Sequence, residues 1–281
     1  MMGSLDLVRV GSRGSRLALA QATTAADALR EASTGLVTAL VPITTAGDRD
    51  RHRPFGEIGE RGIFVKELEE ALLADRIDVA VHSAKDMTAG DPPGLVVGAY
   101  LPRADARDAL CGVTALRPGL RVGTASARRR SFLLSLEPSL RIEPLRGNVE
   151  TRLRKRDERG LDAIVLAVAG LERLGLEREI GLRFDPLGLV PEAGQGAVAL
   201  QVRDAERPLV VALDHAPTRR RVEAERACVA RIGAGCQAPV GAFHDGEHLR
   251  AAIGAEDGTW LEVADGDDPI AIADELLGRV P

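Results

Sequence analysis

The chain has 281 residues, 45% of them hydrophobic, 28% charged and only 2% aromatic, with a formal net charge of -5. That length makes two or three domains with real cores. The acidic balance and the scarcity of aromatics exclude a stacking platform for single-stranded nucleic acid, and no run approaches the roughly 18 apolar residues of a membrane span.

The first ten residues, Met1 to Val10, have neither the cationic start nor the apolar core of a secretion signal, so a cytoplasmic setting is expected. The 3 cysteines, without close pair spacing, make neither a disulfide framework nor a zinc site. The histidines show no ligand spacing, so no metal is expected. Of 37 basic residues only Lys66, Lys85 and Lys155 are lysine. Arginine is the better residue for forked recognition of carboxylates.

In chain order, short apolar strands alternate with amphipathic helices, the pattern of parallel α/β layers. Leu5–Val10 reads as a strand leading through Gly11-Ser12-Arg13-Gly14-Ser15 into a helix from Leu17 to Ala32. Leu36–Thr44 is a second strand. Gly47–Gly62 is polar, glycine-rich and long enough for a lid. A helix is expected over Phe64–Asp75, then a strand over Ile77–His82 that feeds Ser83-Ala84-Lys85-Asp86.

A second α/β unit begins near Arg103. Its strands are expected at Leu120–Gly123, Arg141–Pro144 and Asp162–Val168. Its helices follow at Ala127–Leu136 and from Asn148 through Arg159. Pro186–Gly196 reads as a crossover, and Ala197–Val202 as a strand returning to the first unit. A compact α+β tail starts near Pro217, with a helix from Thr218 to Ile232 stopped by Gly233.

Strand after strand ends in a small-residue turn bearing hydroxyls or cations: Arg13 and Ser15, then Ser83 and Lys85, then Thr124, Ser126, Arg128 and Arg129, then Arg146, then Arg173. Arg152 lies one and a half turns into its helix and can point the same way. Ligands of open parallel sheets bind at the carboxyl ends of the strands, and helix N-termini there attract anions. The expected ligand is large and carries many carboxylates. No Walker-type sequence appears, which disfavours a nucleoside triphosphate.

Asp86 is the odd member, a carboxylate among cations. It reads either as a helix N-cap or as a group that stabilises a developing cation or delivers a proton. Cys236, in Gly235-Cys236-Gln237-Ala238-Pro239 just past a helix end, suits covalent attachment, although a lone cysteine is more commonly a small buried apolar residue.

Taken together, Ala80-Val81-His82-Ser83-Ala84-Lys85-Asp86, Leu145-Arg146-Gly147-Asn148-Val149, Ala167-Val168-Ala169-Gly170-Leu171-Glu172-Arg173 and Gly235-Cys236-Gln237-Ala238-Pro239 resemble the porphobilinogen deaminase (hydroxymethylbilane synthase) family. Gly62-Ile63-Phe64-Val65-Lys66 and Gly194-Gln195-Gly196-Ala197 fall in the family's order, and the resemblance runs from Arg9 to beyond Gly241.

The resemblance implies three domains, the first two like type II periplasmic binding proteins with a cleft between them. They would be 1–101 plus 193–214, carrying the catalytic aspartate and lid, 102–192, rich in arginine, and an α+β third domain, 215–281. It implies a monomeric transferase of porphyrin and heme biosynthesis that joins four porphobilinogens into a linear tetrapyrrole. A dipyrromethane cofactor would be held by a thioether to Cys236, with Asp86 as the catalytic carboxylate. Arg13, Ser15, Lys85, Thr124, Ser126, Arg128, Arg129, Arg146, Arg152 and Arg173 would bind cofactor and substrate carboxylates, and Arg61 and Phe64 would belong to the lid.

Thr88 stands where the family usually has proline, Ala125 where serine is common and Arg61 where lysine is usual, and the third domain is short. The rival expectation is a non-catalytic solute-binding protein for an anion, which needs neither Cys236 nor Asp86.

Overall fold

The computed structural model describes residues 7–44, 65–87, 90–233 and 238–281. The expected lid over Gly47–Gly62, its residues Arg61 and Phe64, Thr88 and Cys236 lie outside them. The chain divides into two compact units, Met1–Arg103 with Ala197–Arg219, and Ala104–Gly196 with Arg220–Pro281.

The first unit is built on β1 (Leu7–Arg13), β2 (Val37–Ile43), β3 (Val79–Ser83), β4 (Leu95–Tyr100) and β10 (Val198–Arg203), in the order β2-β1-β3-β10-β4. The first three strands are parallel, and β10 enters antiparallel between β3 and β4. Helix α1 (Arg16–Ala32) starts where the Ser15 hydroxyl accepts the Ala18 amide. Ala22, Ala25, Ala26 and Leu29 recur at helical spacing and bury against Val10, Val79, Val81 and Leu200. The other face of the sheet packs on α2 (Lys66–Leu73) through Leu68 and Leu72, with Ile77 and Ala80.

The second unit repeats that topology. Strands β5 (Asp108–Cys111), β6 (Arg121–Gly123), β7 (Arg141–Glu143), β8 (Ala163–Ala167) and β9 (Ile180–Arg183) lie in the order β7-β6-β8-β5-β9. Here β5 is the antiparallel strand, the counterpart of β10. Two sheets of one topology are what a pair of type II periplasmic-binding-protein-like domains requires. Helices α3 (Ala127–Leu136), α4 (Val149–Glu158) and α5 (Val168–Glu172) follow β6, β7 and β8. Ser126 and Asn148 cap the first two through the Arg129 and Thr151 amides.

The tail is a small α+β layer. Helix α6 (Ala216–Ile232) stops at Gly233, whose φ of 69° is the left-handed stop that the sequence predicts. Antiparallel strands β11 (Val240–His244), β12 (Leu249–Gly254) and β13 (Leu261–Gly266), with α7 (Pro269–Arg279), complete it. This sheet belongs to the second compact unit, where Phe132 and Leu133 of α3 share a core with Ala252, Phe243 and Leu261.

Candidate active site

In the first unit the register of β1 with β3 (Val10 beside Val79) carries both strands to one edge of the sheet. Arg13 ends β1 there, and Ser15 caps α1 one turn on. From β3, Ser83 leads into a 3-10 turn, Ala84–Asp86, with Lys85 and Asp86 half-buried. Asp86 is the last residue of that turn and not a helix N-cap, so the N-cap alternative is overturned. Ser83 is clasped by buried Gln21 of α1, whose amide lies 3.0 Å from its hydroxyl, and the Ala84 amide donates to the Ala197 carbonyl. The strand end that offers Lys85 and Asp86 is therefore fixed from α1 and from β10.

In the second unit β6, β7 and β8 run parallel, so Thr124, Ser126, Arg146 and Arg173 all follow carboxyl ends on one edge. The buried Thr124 hydroxyl accepts the Ser126 amide, setting the turn that opens α3. Ala125, at the place where serine is common in the family, is exposed. Arg152 curls back toward the start of α4, donating from Nε to the Gly147 carbonyl at 2.6 Å. Lys155 donates to the Arg146 carbonyl. Arg173 donates to the Gly196 carbonyl at 2.7 Å, and burial pulls its guanidinium below its ordinary pKa despite neighbouring Glu172. A desolvated cation of this kind favours an incoming carboxylate.

Arg128 and Arg129 sit differently from the other cations. They are 3% and 5% exposed, and both grip Asp108, the first residue of β5. Arg128 Nη2 reaches Oδ2 at 2.7 Å and Arg129 Nη2 reaches Oδ1 at 2.7 Å. Gln195 Nε2 donates to Oδ1 at 2.9 Å and to the Ala106 carbonyl at 2.7 Å. Burial alone would push this carboxyl up, but the two guanidinium charges outweigh it and hold Asp108 well below the usual carboxylate range. Two guanidiniums on one carboxylate leave a net positive charge, and among the described residues the buried Arg128 Nε has no hydrogen-bond partner. That orphaned donor beside uncompensated charge fits a bound polycarboxylate.

Asp108 and Gln21 are not among the residues that the sequence singles out, and Gln195 stands there only within the Gly194–Ala197 motif, with no role of its own. The only available signal for the first was an aspartate heading the apolar run Ala109-Leu110-Cys111.

Among the described residues, Cys111 and Cys228 are buried. Burial pushes their thiols up to about 11 and about 12, so neither is a ready nucleophile. No group of three metal-ligating side chains occurs among the described residues, and none of their helices is long and apolar enough to cross a membrane.

Within each unit, cationic and hydroxyl side chains follow the carboxyl ends of parallel strands, an arrangement of an α/β protein that suits anionic ligands. A family model described as porphobilinogen deaminase, dipyromethane cofactor binding domain, matches residues 8–210, and one described as its C-terminal domain matches 219–277. Porphobilinogen deaminase of Roseiflexus sp. (strain RS-1) is 47% identical over 289 residues, covering 96% of this chain and 95% of that protein. Its counterparts in Roseiflexus castenholzii and Desulforudis audaxviator are 45% and 44% identical, over 95% and 97% of this chain and 95% and 94% of theirs. Among solved structures, a TRAP periplasmic solute binding protein from Desulfovibrio salexigens aligns at a TM-score of 0.44 with 9% identity, over 75% of this chain and 73% of that one. The chain belongs to the porphobilinogen deaminase family. That membership sets aside the solute-binding alternative.

Proposed function

We propose that this chain is a hydroxymethylbilane synthase, a transferase that consumes four porphobilinogens and one water and yields hydroxymethylbilane and four ammonia molecules. The observation that carries the reading is the family match across both 8–210 and 219–277, joined to cationic strand ends in the matched region. The residues fit the dipyrromethane group named for the family's first domain: each pyrrole brings two carboxylates, and the second unit offers Ser126, Arg128, Arg129, Arg146, Arg152 and Arg173 along one edge. When bound, that group supplies a covalently held pyrrole terminus for chain growth.

The residues of the chain do the rest. Loss of ammonia from an aminomethylpyrrole leaves positive charge on the ring, and the Asp86 carboxylate stabilises it as it develops. Arg13, Ser15 and Lys85 hold acetate and propionate groups on the same edge as Asp86. Thr124 and Ser126 shape the turn that presents the first helical turn of α3. Cys236 is the attachment residue, a role supported by the burial of both other cysteines.

A division into 1–101 plus 193–214, 102–192 and 215–281 is part of this reading, and the presence of three separate sheets supports it. A monomer in the cytoplasm, without nucleic-acid or membrane partners, completes the reading. The test is conversion of porphobilinogen to hydroxymethylbilane by purified protein, read with ammonia release. Absence of product from protein carrying two linked pyrroles would overturn the assignment.

A further inference from the structure

Behind the Asp86 turn lies a polar chain that the proposed chemistry does not use. On the sheet face toward α2, His82 of β3 pairs across the ladder with Ala199 and stands diagonal to Gln201 of β10. His82 Nε2 lies 3.1 Å from Gln201 Oε1. Gln201 Nε2 donates to Glu69 Oε1 of α2 at 3.2 Å and to Asp91 Oδ1 at 3.1 Å. Asp91 is itself anchored, its Oδ2 accepting the Val97 amide at 3.1 Å. Gln201 is fully buried and His82 is 4% exposed, whereas Glu69 is half-buried and Asp91 open to water.

Donor and acceptor inventory decides how this chain is wired. Ionised carboxylates only accept, so the group facing both Glu69 and Asp91 must be the amide NH2. Its oxygen then faces His82, and the ring nitrogen at that contact must be the donor. A glutamate at 201 would bury a third carboxylate beside two others, which explains the neutral amide. Desolvation, and the nearby Asp91 charge, already push the Glu69 carboxyl above its ordinary range although the Gln201 hydrogen bond lowers it.

We propose that Gln201 is a positioning residue: oriented by Glu69 and Asp91, its amide fixes His82 with the proton on Nε2 and so pins the strand end from which Lys85 and Asp86 project. The kinetic half of this inference rests on Asp86 acting in the proposed reaction. The tautomer half does not.

The test uses the full chain carrying its native cofactor. Histidine-selective 15N–1H correlation spectra, with His82 assigned by His82→Gln, are expected to show the proton of His82 on Nε2 near neutral pH. A proton on Nδ1 alone would overturn the wiring. Gln201→Glu is expected to shift His82 toward the doubly protonated ring. It should also lower kcat roughly ten- to a hundredfold, the scale of a small misplacement of a reacting group, while KM changes little. Adding Asp91→Asn to Gln201→Glu restores a donor to the node and is expected to recover most of kcat. A folded Gln201→Glu protein with normal kcat, or a double variant that recovers nothing, would sink the positioning role. Normal turnover by Asp86→Asn would instead sink the catalytic reading and leave the spectra to judge the wiring.

Discussion

The guanidinium of Arg129 and the carboxylate of Asp108 meet at 2.7 Å with neither side chain open to water. Arg128 completes the same arrangement from the adjacent helical position. Removing the shared negative charge leaves two buried cations uncompensated. Asp108→Asn is therefore expected to cost about 3–5 kcal/mol of stability at neutral pH. The folded-state pKa of Asp108 is depressed, so its contribution is complete above the unfolded value of about 3.9 and fades as pH falls through the folded one. Urea melts should show a wild-type advantage that is full near pH 7 and shrinks below about pH 4. A gap independent of pH would contradict the charge argument.

Asp86→Asn should fold normally and keep its cationic neighbours. Loss of a preorganised charge at the reacting ring typically costs about 100- to 1,000-fold in kcat, and that is the expected loss here. Steady-state ammonia release, with circular dichroism as the folding control, measures it. Turnover within a few-fold of wild type would remove Asp86 from the chemistry.

Intact-mass spectrometry is expected to find an adduct of two linked pyrroles, mapped to Cys236 and lost in Cys236→Ala. Cys111→Ser and Cys228→Ser should retain it, because both thiols are buried and hard to ionise. An adduct on either of those residues would refute the assignment.

Salt separates exposed cations from dry ones. The screening length falls from about 30 Å at 0.01 M to about 3 Å at 1 M ionic strength. Across that range KM for porphobilinogen should rise severalfold while kcat at saturation changes less. A KM indifferent to salt would mean that capture does not depend on the accessible arginines.

Much of this arrangement was legible beforehand because it is local. The bounds of α3, Ala127–Leu136, match those expected after the Thr124-Ala125-Ser126 turn, and the return of β10 to the first sheet followed from the Pro- and Gly-marked crossover. Strand β5 escaped notice, being four residues long and headed by a charged side chain whose partners lie 20, 21 and 87 positions away. Gln21 was hidden inside an alanine-rich helix, where nothing marks one polar residue as facing inward toward Ser83. Partners distant in the chain leave no periodic trace, so the charges around Asp108 and His82 emerge only from the assembled sheets.

The insertion of β10 between β3 and β4 also governs how the protein is made. Until residues 198–203 leave the ribosome, β3 and β4 have no strand to join them, and the amino-terminal sheet stays open at its middle. The part of the polypeptide synthesised first is thus obliged to wait for a later segment before it closes, and a nascent chain released short of that point carries an unfinished seam.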